Sequence, residues 1–290
     1  MSWRTVVLTN ESKISLRLNH LVIKNERVTR IPLSEIGQLV IDNPNIIMTG
    51  HILNALSKHK IMTVICDEKH LPFTHVNLVF GNFRQPRVIK QQLSWDTTRK
   101  NCLWKYIVQH KIKNQKFVLE SLNPLNNFSN FDSYIEDVQP NDNTNREGHA
   151  AKVYFNKLFG MGFVRGADTP QNWALNYGYS LLMSLFTKTI ITRGLLTEVG
   201  IHHHSQFNHY NLSSDFMEVY RPIIDQLVKQ NINSEFGTSG KRTLLEVFNK
   251  KVLIKQKKQF LANSIDIYVD SLMKYLNYEY QSSDLAFPCL

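Results

Sequence analysis

Cysteine is scarce in this chain of 290 residues, and Cys66, Cys102 and Cys289 stand far apart without a CxxC pair. This spacing excludes a disulfide scaffold, gives no sign of a cysteine-held zinc site and fits a reducing cytoplasm. Long apolar runs are also missing, since none approaches the ~18 residues that a membrane-spanning helix needs. The opening residues lack the apolar core of a secretory signal peptide. We therefore expect a cytoplasmic protein.

Acidic side chains are in deficit. The 24 Asp and Glu residues stand against 34 Lys and Arg, so the formal net charge is +10. A positive surplus of this size favours a polyanionic partner, either nucleic acid or an anionic membrane. Because no apolar run is long enough to enter a membrane, we predict nucleic acid. On charge alone, a basic surface that only keeps the protein soluble is the alternative.

Short apolar runs, several of them alternating with polar residues, dominate the first part of the chain. Alternation with period two is typical of half-buried strands. One helix is predicted over residues 49–59, because Ile52, Leu53 and Leu56 share a face. We therefore predict an α+β protein that begins with a small β-rich domain over residues 1–80. The predicted strands cover residues 5–8, 13–17, 20–24, 28–33, 39–41 and 61–66.

Helical spacing of apolar side chains prevails from residue 81 onward. Residues 172–191 are apolar nearly all round, which is typical of the buried central helix of a helical domain. A polar loop over 141–145 leads into a helix that is predicted to begin near Arg146, and a last helix is predicted to end near residue 280. We predict that residues 81–290 form an all-helical catalytic and DNA-binding domain.

Two stretches of the helical part are strongly basic. Residues 82–116 hold nine Lys and Arg against one acid, and residues 241–258 hold seven against one. We predict that both bind DNA phosphates, the second as a basic helix, although charge runs are often only solvated faces. The side chains expected to contact DNA are Arg84, Arg87, Lys90, Lys241, Arg242, Lys250 and Lys251.

Three places in the helical part carry side chains suited to a cation. Glu147 falls in the first turn of a predicted helix, where the helix dipole alone also favours an acid. Three consecutive histidines follow Gly200, and they cannot all point at one ion. Asp215 and Glu218 lie three residues apart and so share a helix face, an arrangement that is also common on solvated faces.

Taken together, these acids and histidines form an oxygen-rich set that suits Mg²⁺ or Mn²⁺. Phosphodiester chemistry uses such an ion to neutralise the scissile phosphate and to stabilise the pentacoordinate transition state. A non-catalytic DNA-binding scaffold is the competing interpretation, and it would not need this set. A zinc-histidine hydrolase would need the tighter spacing HExxH, which the chain lacks.

The chain resembles the CRISPR adaptation integrases, and among them the type II variety. The matching pieces keep the family's order and spacing over essentially the whole chain. They are the opening β-rich part, residues 146–151 running into Tyr154 and Phe155, residues 172–179, Gly194-Leu195 followed by residues 200–203, and residues 215–222.

The resemblance implies a metal-dependent endonuclease and integrase that joins the 3′-OH ends of prespacer DNA to a CRISPR repeat by transesterification. It also implies that Glu147, His203 and Glu218 bind the catalytic Mg²⁺ or Mn²⁺, with Asp215 in support. Aligning on the glycines at 194 and 200 selects His203, whereas the family often has a single histidine here. A shift of one residue to His202 or His204 therefore remains the alternative.

The resemblance further implies an assembly. The β-rich domains would join two copies of the chain into a homodimer, and two such dimers would flank a second small adaptation protein. The complex would carry a double-stranded prespacer to the repeat. In type II systems a guide-directed effector nuclease and a ring-forming accessory protein would also take part.

Overall fold

The computed structural model describes residues 4–68, 72–76, 82–232 and 235–290. The chain divides into two compact units, the first of Met1–Gln85 with Ile191–Gly194 and the second of Pro86–Ile190 with Leu195–Leu290. The predicted end of the β-rich domain, near residue 80, lies outside the described residues. No helix in the described ranges is long and apolar enough to cross a membrane.

The first unit contains two four-stranded sheets and one helix. One sheet has the strand order β1-β5-β7-β8, with its first three strands parallel, and the other has the order β4-β3-β2-β6. The strands are β1 (Arg4–Leu8), β2 (Lys13–Arg17), β3 (His20–Lys24), β4 (Val28–Pro32), β5 (Ile36–Ile41), β6 (Ile47–Met48), β7 (Met62–Cys66) and β8 (Pro72–Val76), and helix α1 covers Gly50–Lys58.

Apolar side chains that alternate along the strands form the core of this unit. Ile14, Leu21, Ile36 and Leu39 are fully buried, and Ile52 of α1 packs into the same cluster. The strands expected from the alternation and the helix expected over residues 49–59 are confirmed. Sequence reasoning missed β6 and β8, since the first is only two residues long and the apolar residues of the second, Phe73 and Val76, do not alternate with polar ones.

The second unit is mainly helical. A 26-residue helix, α3, is capped at its start by Asp96, whose side chain accepts from the backbone N–H of Arg99. The helices, beginning with one at the junction of the units, are α2 (Gln85–Leu93), α3 (Thr97–Leu122), α4 (Asn130–Glu136), α5 (Arg146–Phe159), α6 (Pro170–Thr192), α7 (Asn211–Met217), α8 (Arg221–Asn231), α9 (Thr238–Leu245) and α10 (Leu261–Leu276).

Helix α6 is buried along most of its length, as the nearly continuous apolar pattern of residues 172–191 predicts. It approaches α8 closely at Gly178. A Cβ atom at this position would lie 2.4 Å from Cγ2 of Ile224, so only a residue without a side chain fits without movement. The close contact brings α6 against the helix that follows the predicted acidic motif.

The prediction of a single basic helix over residues 241–258 is wrong. Helix α9 ends at Leu245, a 3-10 turn follows, and the lysines then continue into a hairpin of β9 (Lys251–Ile254) and β10 (Lys257–Phe260). The alternation in β9 explains this, because Val252 and Ile254 are buried while Lys251 and Leu253 are exposed. Lys255 and Gln256 both have positive φ, as a two-residue hairpin turn requires.

Candidate active site

Glu147 is held by the start of helix α5. The side chain of Asn145 accepts from the backbone N–H of Gly148 at 3.2 Å. The carboxylate of Asp142 accepts from the N–H groups of Arg146 at 2.8 Å and Glu147 at 2.9 Å. These bonds satisfy backbone donors that a helix start leaves without partners. Glu147 thus lies in the first turn, as predicted, on a backbone fixed by two neighbouring side chains.

Asp215 organises the turn that carries the histidines. It is fully buried on α7, and its Oδ2 accepts from the backbone N–H groups of Ile201 at 2.6 Å and His202 at 3.0 Å. Its Oδ1 accepts from the N–H of His203 at 3.0 Å. Gly200 allows this approach, because a Cβ there would lie 2.7 Å from Oδ2 of Asp215.

The three histidines lie in different surroundings. His203 donates from Nδ1 to Oδ1 of Asp215 at 2.5 Å, and this bond raises its pKa against the opposing effect of burial. His202 stacks on Trp104 with ring centroids 4.1 Å apart, and burial lowers its pKa. His204 is exposed. Of the three, His203 is the one whose ring contacts the predicted supporting acid.

A lysine of the basic stretch 82–116 joins the two predicted glutamates. Lys111, on α3, places its Nζ 2.5 Å from Oε1 of Glu147 and 2.5 Å from Oε2 of Glu218. The second glutamate lies in the 3-10 turn between α7 and α8. The Nε of Arg221 lies 2.7 Å from its other oxygen. Lys111 is therefore one base of the stretch 82–116 that is not available to phosphate, since its side chain is only 11% exposed and doubly paired.

The cations around Glu218 determine its charge. Burial would raise the pKa of this carboxyl, but Arg221 and Lys111 outweigh burial and hold the pKa below its ordinary value. Burial likewise lowers the pKa of Lys111, but the two glutamates outweigh it and raise that pKa. Both partners therefore stay charged inside the protein.

Arg221 is fixed in turn by a buried polar network. Its guanidinium lies 4.6 Å from the ring centroid of Tyr179, and the hydroxyl of that tyrosine donates to Oδ1 of Asp225 at 2.5 Å. Burial raises the pKa of Asp225 to about 6, although the hydrogen bond from Tyr179 opposes the shift. The network was not expected from the sequence.

The predicted ligands converge in part. Glu147 and Glu218 meet at one cation, and both lie near enough to His203 to raise its pKa. In the described part of the chain, no group of three His, Cys, Asp or Glu side chains is arranged to hold a metal ion. The donor chemistry nonetheless fits Mg²⁺ or Mn²⁺, because two carboxylates already share one positive charge and an imidazole lies nearby.

Space for a ligand exists beside His203. A cavity of about 340 Å³ is lined by polar side chains that include Lys100, His204, Asn208 and His209. The wall of the cavity also includes the backbone segment from Glu198 to Gly200, just ahead of the histidines. A group bound in this cavity would therefore contact the histidine that Asp215 orients.

The residues predicted to contact DNA are mostly available at the surface. Five of the seven are exposed, and Lys241 and Lys250 are half-buried; the exposed ones are Arg84, Arg87, Lys90, Arg242 and Lys251. Other basic side chains of the stretch 82–116 are paired with groups of the protein itself. Arg99 donates to the carbonyl of Tyr280 at 2.8 Å, and Lys116 pairs with Asp132 at 2.7 Å.

Comparison with known proteins identifies relatives over nearly the whole chain. The sequence profile of the family described as "CRISPR associated protein Cas1" matches residues 5–257. A CRISPR-associated endonuclease Cas1 from Neisseria meningitidis serogroup C is 31% identical over 277 residues, which are 93% of this chain and 91% of that protein. A second Cas1 endonuclease, from Francisella tularensis subsp. novicida, is 26% identical over 74% of each chain.

Solved structures share the fold. A casposase bound to its integration product superposes with a TM-score of 0.73 at 21% identity, over 97% of this chain and 92% of that one. A Cas1 protein from Thermotoga maritima gives a TM-score of 0.70 at 16% identity, over 94% and 97%. A chain of a Cas6-RT-Cas1–Cas2 complex gives 0.75 at 20% identity, over 99% of this chain and 36% of the larger one.

Proposed function

The chain belongs to the Cas1 family of CRISPR-associated proteins, and we propose that it is a metal-dependent DNA integrase and endonuclease that inserts prespacer DNA into a CRISPR array. The observation that carries the proposal is the convergence of Glu147 and Glu218 on a single cation, with His203 held beside them by a buried acid. A non-catalytic DNA-binding scaffold has no use for two carboxylates, one of them buried, that share one positive charge.

Three side chains are the proposed metal ligands: Glu147, Glu218 and, through Nε2, His203. Asp215 accepts from Nδ1 of the histidine, which leaves the lone pair of Nε2 available for a metal. Arg221 keeps the second glutamate ionised. When bound, Mg²⁺ or Mn²⁺ supplies positive charge that neutralises the scissile phosphate and stabilises the pentacoordinate transition state.

DNA is the proposed substrate, and the exposed lysine and arginine side chains are the proposed phosphate contacts. The net charge of +10 supports this, as do two solved structures with the same fold, a casposase bound to integration product and a Cas1–DNA complex. We place the reacting 3′ end in the polar cavity beside His203. Transesterification exchanges one phosphodiester bond for another, so the reaction needs no nucleotide hydrolysis.

The proposed partners follow the family. Two of the solved structures contain Cas1 together with Cas2, and we propose that this chain assembles with a second small adaptation protein of that kind. We further propose a homodimer formed through the β-rich unit, whose strand edges need covering. The type II assignment, the effector nuclease and the ring-forming accessory protein stay predictions.

A strand-transfer assay tests the proposed reaction. Purified protein with its small partner receives a labelled duplex with free 3′-OH ends and a plasmid that carries the repeat, in Mg²⁺, in Mn²⁺ or in excess chelator. We expect joined product with either ion and none in chelator. Asp132→Asn, at an exposed position of α4 away from the cavity beside His203, is the control that should keep activity. Joining in chelator, or a strict ATP requirement, would refute the mechanism, and DNA binding without any joining would favour the scaffold.

A further inference from the structure

A buried lysine stands where the two proposed acidic ligands meet. Lys111 lies on the packed face of α3, in line with Trp104, Ile107 and Val108, all of which are fully buried. An ammonium is costly to bury unless it is paired and hydrogen-bonded. Here its nitrogen lies within 2.5 Å of one oxygen of each glutamate, so the pairing is what keeps it inside.

The charges of the four side chains in direct contact balance before any metal is added. Lys111 and Arg221 carry one positive charge each, and Glu147 and Glu218 carry one negative charge each. A divalent ion added to this group would leave it with two surplus positive charges. Mutual repulsion at such short distances is strong, so the ion and both resident cations do not fit together around the two carboxylates.

We propose that Lys111 is an exchangeable internal counter-ion, which holds Glu147 and Glu218 together in the metal-free protein and leaves the space between them when a divalent ion binds. The inference rests on the proposed function, because it takes both glutamates as metal ligands. In this role Lys111 is a positioning residue, since it acts through the two carboxylates.

The contacts of the two cations explain why the lysine is the one that moves. The guanidinium of Arg221 lies on the other oxygen of Glu218 and over the ring of Tyr179, so it is fixed on two sides and does not lie between the acids. Lys111 contacts both acids with the end of a flexible four-carbon chain. It can withdraw by side-chain rotation while α3 stays in place.

Because Lys111 competes for the two carboxylates, the affinity for a divalent ion is lower than the same ligands would have without the lysine. A divalent ion has to separate an ammonium from its two carboxylates before it can take their oxygens. Replacing Lys111 by methionine, which is similar in length but uncharged, removes this competitor and leaves two carboxylates facing one another. Without metal, those carboxylates repel, and the variant should lose stability. With metal, it should regain that stability.

Mn²⁺ titration of the DNA-free protein tests the exchange. The free-ion signal in electron paramagnetic resonance gives the affinity of the wild type, of Lys111→Met, and of Lys116→Met, a control on the same helix whose partner is the exposed Asp132. We expect Lys111→Met to bind Mn²⁺ about tenfold more tightly or better, and the control to match the wild type. In chelator, the melting temperature of Lys111→Met should lie below that of the wild type. On adding Mn²⁺, it should rise by more than the melting temperature of the wild type does.

An unchanged or weaker Mn²⁺ affinity in Lys111→Met would overturn the exchange. If the wild type still performs metal-dependent strand transfer, that result leaves the proposed function standing. If Glu218→Gln binds Mn²⁺ like the wild type and keeps strand transfer, the ligand set itself is wrong, and the proposed function and the exchange fall together.

A second measurement uses the wild type alone and holds even if Lys111→Met does not fold. Acetylation of lysines, read by mass spectrometry, compares the reactivity of Lys111 in chelator and in saturating Mn²⁺, with Lys116 as the internal reference. We expect the modification of Lys111 to increase several-fold with Mn²⁺, because its amine leaves both carboxylates. Equal reactivity in the two conditions would overturn the exchange.

Discussion

Replacing Asp215 by asparagine tests whether this buried acid sets the geometry of His203. The carboxylate accepts four hydrogen bonds, two at each oxygen: from the backbone of Ile201 and His202 at Oδ2, and from the backbone and ring of His203 at Oδ1. Asparagine keeps one of the two oxygens. Its amide nitrogen, a donor, must then face two donors wherever it is placed.

The size of the effect follows from those four bonds. Two hydrogen bonds to a charged acceptor are lost, at ~1.5–3 kcal/mol each, while a neutral amide is less costly to bury than a carboxylate. We therefore expect Asp215→Asn to lower the free energy of unfolding by about 2–4 kcal/mol. If the amide faces His203, the ring can also reverse its tautomer, which places the proton on Nε2 and removes the lone pair proposed to bind metal.

Thermal unfolding and Mn²⁺ titration measure the two consequences. For a chain of this size we expect the melting temperature to fall by about 4–10 °C, and Mn²⁺ affinity to fall by about 10–100-fold, as when a metal-bound histidine loses its orienting partner. Asp132→Asn is the matched control, since this acid is exposed and pairs only with Lys116; its stability should change by less than about 1 kcal/mol. Wild-type melting and wild-type Mn²⁺ affinity in Asp215→Asn would refute the orienting role.

Three further predictions concern the helices around the site. Gly178→Ala should lower the free energy of unfolding by about 1–3 kcal/mol because its Cβ meets Ile224, and urea unfolding should show a smaller loss in an Ile224→Ala background; equal losses would contradict the contact. Asp225 has its pKa raised to about 6, so the folded state holds this proton more tightly, and the resulting stability is lost as pH rises from about 4 to about 6. The wild type should therefore lose about 2–3 kcal/mol relative to Asp225→Asn over that range, whereas parallel urea-unfolding profiles would argue against the shift. His203→Ala should abolish Mn²⁺ binding and strand transfer while His202→Ala has a mild effect, and the reverse order would move the ligand by one residue.

Short apolar runs and period-two alternation were sufficient for six of the eight strands described in the first unit. The strands at residues 13–17 and 20–24 lie where the pattern of Ile14, Leu16, Leu21 and Ile23 places them. In a strand with one buried face, apolar and polar residues alternate along the sequence, because successive side chains point to opposite faces. Strand β6 has only two residues, too few for any pattern, and strand β8 carries Phe73 on an exposed face, so neither left a usable signal.

The basic stretches show where charge counting fails. A count treats every lysine as solvated, yet Lys111 is buried against two acids and Arg99 lies over the rings of Tyr275 and Tyr278. For Lys111, the sequence did contain a signal of burial. Lys111 falls three residues after Val108 and four before Gln115, in the buried stripe of α3, and a charge in register with a buried stripe requires a partner of opposite sign.

Local spacing also could not decide which way the acids of residues 215–225 face. Asp215, Glu218, Arg221 and Asp225 recur every three or four residues, so they share one face across α7, the 3-10 turn and α8. Such a face is usually solvated. Here the acids are buried, and Arg221 is held between Glu218 and Tyr179, because this stretch packs against helices that are distant in sequence.

Each charge on that face has a fixed partner. Asp215 holds the histidine turn, Arg221 holds Glu218, and Asp225 accepts from the tyrosine that supports Arg221. Buried charges are tolerated only when they are compensated, so a change at one position is felt by the others. Among these side chains, Glu218 has a second partner besides Arg221. This partner is Lys111 of α3, whose ammonium lies at the end of a flexible side chain. That combination of a rigidly supported carboxylate and a removable cation is what a site for an exchangeable divalent ion needs.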